Sequence, residues 1–287
     1  MSAPEAGFGR TRPRARARAR SPGRGLVRTG AAILVAVAAA AILAPLIAGW
    51  GPTEIDVLNF LEPPGPGHPF GTDANGMDVF SRTLHAARLD LGVAVAAVTI
   101  AVICGTGFGL AVGYAGGWAD ELAMRTLDIV QAIPVFVLAL TVAAVFGTSL
   151  VTLTIALGLI NAAPYARLMR SEVRALREHT FIEAAECAGN SRASLLFRHL
   201  LPNALTPVLV IAPLNCGWVI LMLAGLSFVG LGVQVPQAEW GAMISAGAGD
   251  IVGGRWWTTV FPGLALFLTV LGFNLLGEGL QARAGRR

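Results

Sequence analysis

The sequence predicts an all-α membrane protein of six transmembrane helices. Of 287 residues, 55% are hydrophobic and 13% charged, with a mean hydropathy of +0.66, whereas soluble domains carry about 25% charged residues. Six apolar windows, at roughly 27–50, 91–114, 129–146, 150–166, 205–232 and 258–280, are long enough to cross a hydrocarbon core of about 30 Å as helices. The ten-residue alternation of a membrane barrel is missing, and a backbone in lipid must then close its hydrogen bonds within helices.

The elements follow in order. Residues 1–26 are basic, with Arg-Ala alternation from Arg14 to Arg20. Repeated arginine attracts phosphate, but beside a membrane span it reads as a disordered cytoplasmic tail anchored on anionic headgroups, not as a nucleic-acid arm. The apolar run after it is a permanent span, because the charged region is long for a signal peptide and no convincing A-x-A cleavage site follows. Residues 27–89 thus hold the first span and an external loop, and 90–287 a five-helix core. In the loop, Pro63-Pro64-Gly65-Pro66-Gly67-His68-Pro69 excludes a helix. Thr72 or Asp73 can cap a turn, and Asp78 can cap the helix that follows.

Arginine sets the orientation. With both termini in the cytoplasm, eighteen arginines lie inside and three, Arg82, Arg88 and Arg255, outside, as the positive-inside rule requires. Glu54, Asp56, Glu62, Asp73, Asp78, Asp90, Glu239 and Asp250 then fall in external segments. The chain contains no lysine, which removes the phosphate-binding Walker lysine and Schiff-base chemistry. It is not a P-loop ATPase.

Proton-coupled carriers place acids or histidines within their spans. The predicted spans hold none internally, with Asp128 and Glu278 only near ends. Their deepest polar groups, Gln131, Asn161, Asn215 and Asn274, serve equally as pathway lining or as helix-to-helix hydrogen bonds. The four histidines lie outside the spans without metal-ligand spacing, so no metal and no catalytic residues are expected. Cys104, Cys187 and Cys216 read as small packing residues.

The hydrophilic island at about 167–204 is the most informative stretch. Phe181, Ala184, Ala185 and Ala188 share one small, apolar helical face by spacing. Gly189 ends that helix in a left-handed turn and Ser191 caps a second short helix near 192–199, which would present Leu195 and Leu196 until Pro202 breaks it at the membrane. A helix-turn-helix facing the cytoplasm is expected, as a docking surface or as a compact loop.

Glu183-Ala184-Ala185, Gly189 and the run His199-Leu200-Leu201-Pro202-Asn203 resemble the EAA loop of ABC importer permeases. The upstream run His68 to Arg82, with Gly71, Thr72, Asp73, Gly76 and Asp78, is similar to the signature of C-type subunits of the dipeptide/oligopeptide/nickel permeases. Similar stretches recur at Gly113–Asp120, Leu226–Gln234, Glu239–Met243 and Phe273–Gly277. Met77 replaces the arginine usual in that family, and Cys187 and Asn190 vary the EAA core.

The resemblance implies a type I ABC importer permease fold in the bacterial cytoplasmic (inner) membrane. It implies that Glu183 holds the loop, Gly189 makes its turn, the Ala184-Ala185 face makes contact, and His199, Pro202 and Asn203 position the return to the bilayer. It also implies a B-type permease partner, two cytoplasmic ATPase subunits carrying ATP and Mg, and an extracytoplasmic substrate-binding protein, with no cofactor on this chain. The implied cargo is a dipeptide or oligopeptide. Nickel or another small solute is the alternative, and a secondary carrier or a structural anchor would be a different class.

Overall fold

The computed structural model describes residues 22–285. Arg14 to Arg20, Arg286 and Arg287 lie outside them. Helix α1 (Pro22–Ile47) begins inside the stretch assigned to the tail and packs along the last helix.

Helix α2 (Val79–Ala115) starts at Val79, not at 91, because Asp78 caps it: its Oδ2 accepts the Ser81 N–H at 2.6 Å. At about 1.5 Å per residue its length well exceeds a hydrocarbon core, so it is longer than one crossing requires. The boundary placed between 89 and 90 therefore falls within a helix.

The window 129–146 is not one straight span. Helices α3 (Gly117–Ala132) and α4 (Val135–Phe146) meet at an 83° bend. Pro134 offers no N–H and pushes the preceding residue out of helical conformation, and Ile133 is extended, at φ −76°, ψ 128°. Among the described residues five helices are thus long and apolar enough to cross a membrane, or six if the bent pair forms one span.

Helices α5 (Leu150–Ile160) and α6 (Ala162–Arg177) form one long rod with Asn161 at their junction. Short α7 (Thr180–Cys187) and α8 (Arg192–Ser194) follow. A π-helical turn, Leu195–Leu200, then leads into α9 (Leu201–Phe228). Between α9 and the last described helix, α11 (Trp257–Ala284), lie α10 (Trp240–Gly247) and a 3₁₀ turn, Asp250–Gly253.

Helix α2 is the axis of the bundle, in contact with α1, α5, α6 and α9. Its Ala86, Ala94, Ala97 and Ala101 are fully buried, facing a core that includes Tyr165 and Met169 of α6 and Val219 and Leu223 of α9. At Gly105 and Gly109 it approaches α6 so closely that a Cβ would run into the Ala162 and Ala166 carbonyls, which is the use membrane helices make of small residues four apart.

Candidate functional site

The turn of residues 178–191 hangs between two long rods, Leu150–Arg177 and the continuous helix Arg192–Phe228. Helix α7 turns Ile182 and Ala185 inward, at 2% and 9% exposure, and leaves Phe181, Glu183, Ala184, Glu186 and Ala188 exposed. The expected shared face is therefore divided. Ala184 projects outward with Phe181 and Ala188, whereas Ala185 packs against its own chain.

Gly189, at φ +80°, takes the left-handed conformation that non-glycine residues resist. Its N–H donates to the Glu186 carbonyl at 2.9 Å, and the Asn190 N–H donates to the Ala185 carbonyl at 3.2 Å, a paired closure of the last carbonyls of a helix. Asn190 joins the two short helices: its Nδ2 also donates to the Ala185 carbonyl at 2.9 Å, and its Oδ1 accepts the Ser194 hydroxyl at 3.0 Å. Ser191 caps α8 as expected, accepting the Ser194 N–H at 3.3 Å. The glycine and serine were legible in the sequence; the work of Asn190 was not.

Pro202 does not break the helix. The preceding π-helical turn, in which the Leu201 N–H reaches the Leu196 carbonyl, widens the backbone just ahead of the proline. A proline's clash and missing donor matter least where the regular α register is already suspended. Leu195 is buried, not presented. Asn203 Nδ2 donates to the His199 carbonyl at 2.6 Å, fastening the turn to α9. Glu183 makes no hydrogen bond or ion pair among the described residues, and its carboxylate faces outward.

The external signature is a tightly tied knot at the start of α2. Gly71 and Gly76 both have φ of +75°. Thr72 Oγ1 donates to the Asn59 carbonyl and accepts the Glu62 N–H, both at 2.8 Å, while Trp257 Nε1 donates to the Thr72 carbonyl at 3.1 Å. Asp73 Oδ1 accepts the N–H groups of Asn75 and Met77 at 2.8 and 2.9 Å. Buried His68 stacks on Trp50 and lies 2.9 Å from Asp78 and 3.4 Å from Asp56. The Asn59 amide, then the Leu58 N–H, hold the Asp56 carboxyl below the usual carboxylate range.

Arg82, 3% exposed, donates to the carbonyls of Pro52 and Pro236 at 2.8 and 3.0 Å, and to the sulfur of buried Met77. The five signature residues thus all serve local structure, and Met77 supplies a soft acceptor beside a neighbouring buried guanidinium.

Three further acids are buried, which their positions in the sequence did not signal. Asp120 of α3 binds Arg170 Nη2 at 2.7 Å and Arg174 at 3.4 Å, tying α3 to α6. Glu239, 1% exposed, caps α10 through two 2.7 Å bonds, from Gly241 and Ala242. Asp90, also 1% exposed, accepts the Trp240 N–H at 3.2 Å.

The four polar residues of the spans have separate surroundings in the hydrogen-bond network. Asn215 Nδ2 donates to the Tyr165 hydroxyl at 2.8 Å, which is helix-to-helix bonding. Asn161 is buried at the α5–α6 junction with Nδ2 unpartnered, while Gln131 precedes the bend and Asn274 lies half-buried on α11. No hydrogen bond joins the four to one another among the described residues.

Comparison with known proteins places this geometry. Residues 105–287 match the family described as binding-protein-dependent transport system inner membrane component. The chain is 42% identical to the dipeptide transport system permease protein DppC of Alkalihalophilus pseudofirmus, over 89% of this chain and 84% of that one. It is 40% identical to the probable D,D-dipeptide transport system permease protein DdpC of Escherichia coli, over 90% and 87%. A glutathione transport system permease protein of Pectobacterium atrosepticum is 39% identical over 79% and 75%. The family match includes the turn of residues 178–191; the knot at the start of α2 precedes it.

Proposed function

The chain belongs to the binding-protein-dependent transport inner-membrane components, and from that premise we propose that it is one permease subunit of an ATP-driven importer of dipeptides or oligopeptides. It is a multi-pass inner-membrane protein of a transport permease family. The proposal adds a B-type permease beside it, two ATPase subunits at the cytoplasmic turn and a binding protein outside, with both termini of the chain in the cytoplasm.

One observation carries the reading. A hydrogen-bonded turn with an outward face of Phe181, Ala184 and Ala188 is strung between two long spans, so a push on α7 is delivered to both. In this scheme Glu183 meets the ATPase, Gly189 and Asn190 keep the turn stiff, and closure of the ATPase pair rotates the spans between inward-open and outward-open forms, linking nucleotide to solute. The names of the three relatives described above, two dipeptide permeases and a glutathione permease, favour peptide over nickel.

Uptake by the reconstituted complex tests it. Labelled dipeptide should accumulate only with ATP, both permeases and the binding protein, and nickel should not. Nickel uptake in place of peptide would overturn the cargo, and uptake without the ATPase subunits would overturn the mechanism.

A further inference from the structure

At the cytoplasmic ends of α1, α9 and α11 lies a groove of about 1000 Å³, among whose lining residues are Arg24, Arg283, Thr206, Val210, Ile211 and Leu280. It opens where α9 and α11 part. The two helices are pressed together at Gly277, where a Cβ would collide with the Leu214 side chain. The faces below that contact line the groove.

Its two ends differ in chemistry. Val210, Ile211 and Leu280 form an apolar wall toward the membrane interior. At the mouth, exposed Arg24 and Arg283 both line the groove, on helices that meet where Gly23 backs onto Gly279 and Arg283. The ion pairs among the described residues engage Arg82, Arg125, Arg167, Arg170 and Arg174. Glu278, the nearest acid along α11, does not line the groove.

We propose that this groove binds an anionic phospholipid of the inner leaflet, its phosphate held between Arg24 and Arg283 and one acyl chain laid along Val210, Ile211 and Leu280. Two positive charges on the rim of one groove favour an anion there, and a phosphate can accept charge-assisted hydrogen bonds from guanidiniums. A basic pocket between transmembrane helices at this depth has the composition that selects anionic headgroups. The hydrocarbon part follows from the wall, which a free phosphate would leave uncovered. A lipid seated there would brace α9 against α11 directly beneath Gly277, and α9 is the helix that continues from the cytoplasmic turn.

Native mass spectrometry of the purified transporter complex tests this, with phosphatidylglycerol and phosphatidylcholine supplied in equal amounts. The wild-type complex should retain phosphatidylglycerol preferentially. Arg24→Gln and Arg283→Gln should each lower that retention about five-fold, without a change in melting temperature because both side chains are exposed. The paired Arg24→Lys, Arg283→Lys variant should keep most of the binding, and Arg125→Gln, another cytoplasmic-side arginine, should keep all of it. Equal retention of the two lipids, or undiminished retention in the double glutamine variant, would overturn the proposal. So would a photoreactive residue at Val210 that captures the partner permease instead of lipid.

Discussion

Ile182 and Ala184 stand two residues apart on α7 and face opposite ways, so changing each in turn separates folding from docking. Ile182 is 2% exposed, and Ile182→Ala would remove buried methyl groups and leave a cavity at a cost of about 2–5 kcal/mol. Ala184 is exposed, so Ala184→Asp would cost the fold only the lower helix propensity of aspartate, under about 0.7 kcal/mol. If Ala184 is covered when the ATPase docks, however, the new carboxylate must lose its water without a partner. That penalty is several kcal/mol, and about 2.7 kcal/mol already corresponds to 100-fold. Ala184→Asp should therefore melt at the wild-type temperature yet lose solute-stimulated ATPase activity by about two orders of magnitude in the reconstituted complex. Ile182→Ala should melt several degrees lower and still couple at permissive temperature. Full coupling in a folded Ala184→Asp complex would refute the assignment of this face.

The remaining predictions concern the frame around the turn. Gly109→Leu should separate α2 from α6, because even a Cβ there would meet the Ala166 carbonyl and, at 2.9 Å, Met169 Cβ; a loss of at least about 1–3 kcal/mol should appear as a lower melting temperature or an aggregated peak in size exclusion. Arg82→Ala should remove the hydrogen bonds to the Pro52 and Pro236 carbonyls, which water can then reach, at about 0.5–1.5 kcal/mol each, and thermal melting with and without Arg82→Lys as a partial rescue would measure it. Asp56 titrates below its ordinary value, so its contribution is present above about pH 4 and fades as the pH falls through the lower folded value. Fluorine NMR of labelled Trp50, which stacks on His68, should show the external knot intact at pH 5 and loosening only in stronger acid. Asn59→Ala, which removes the largest cause of the shift, should bring the folded value closer to the unfolded one and shrink that contribution.

Features legible in the chain were those whose physics is local. Asp78, Ser191 and Gly189 act on N–H and carbonyl groups within a few residues of themselves, so spacing alone identified the caps and the turn. Apolar windows located the spans because lipid demands a hydrophobic exterior whatever the neighbouring helices do. Proline was harder to read. Pro134 disrupts a helix that hydropathy alone left whole, while Pro202 is carried through by a π-helical turn.

Burial was decided by partners far along the chain. Asp120 meets Arg170 fifty positions away, and Trp240 is held by the Thr83 carbonyl across 157. No local pattern marks a residue whose neighbour is chosen by helix packing. The same packing turned Ala185 inward and left Ala184 outside. The sequence by itself determined that this is a helical permease with a polar turn between two spans, since hydrophobic length, capping and the EAA pattern are properties of contiguous residues. Only the tertiary structure decided which side of that turn is free to meet another protein, because a helix has no outside until other helices cover the rest of it.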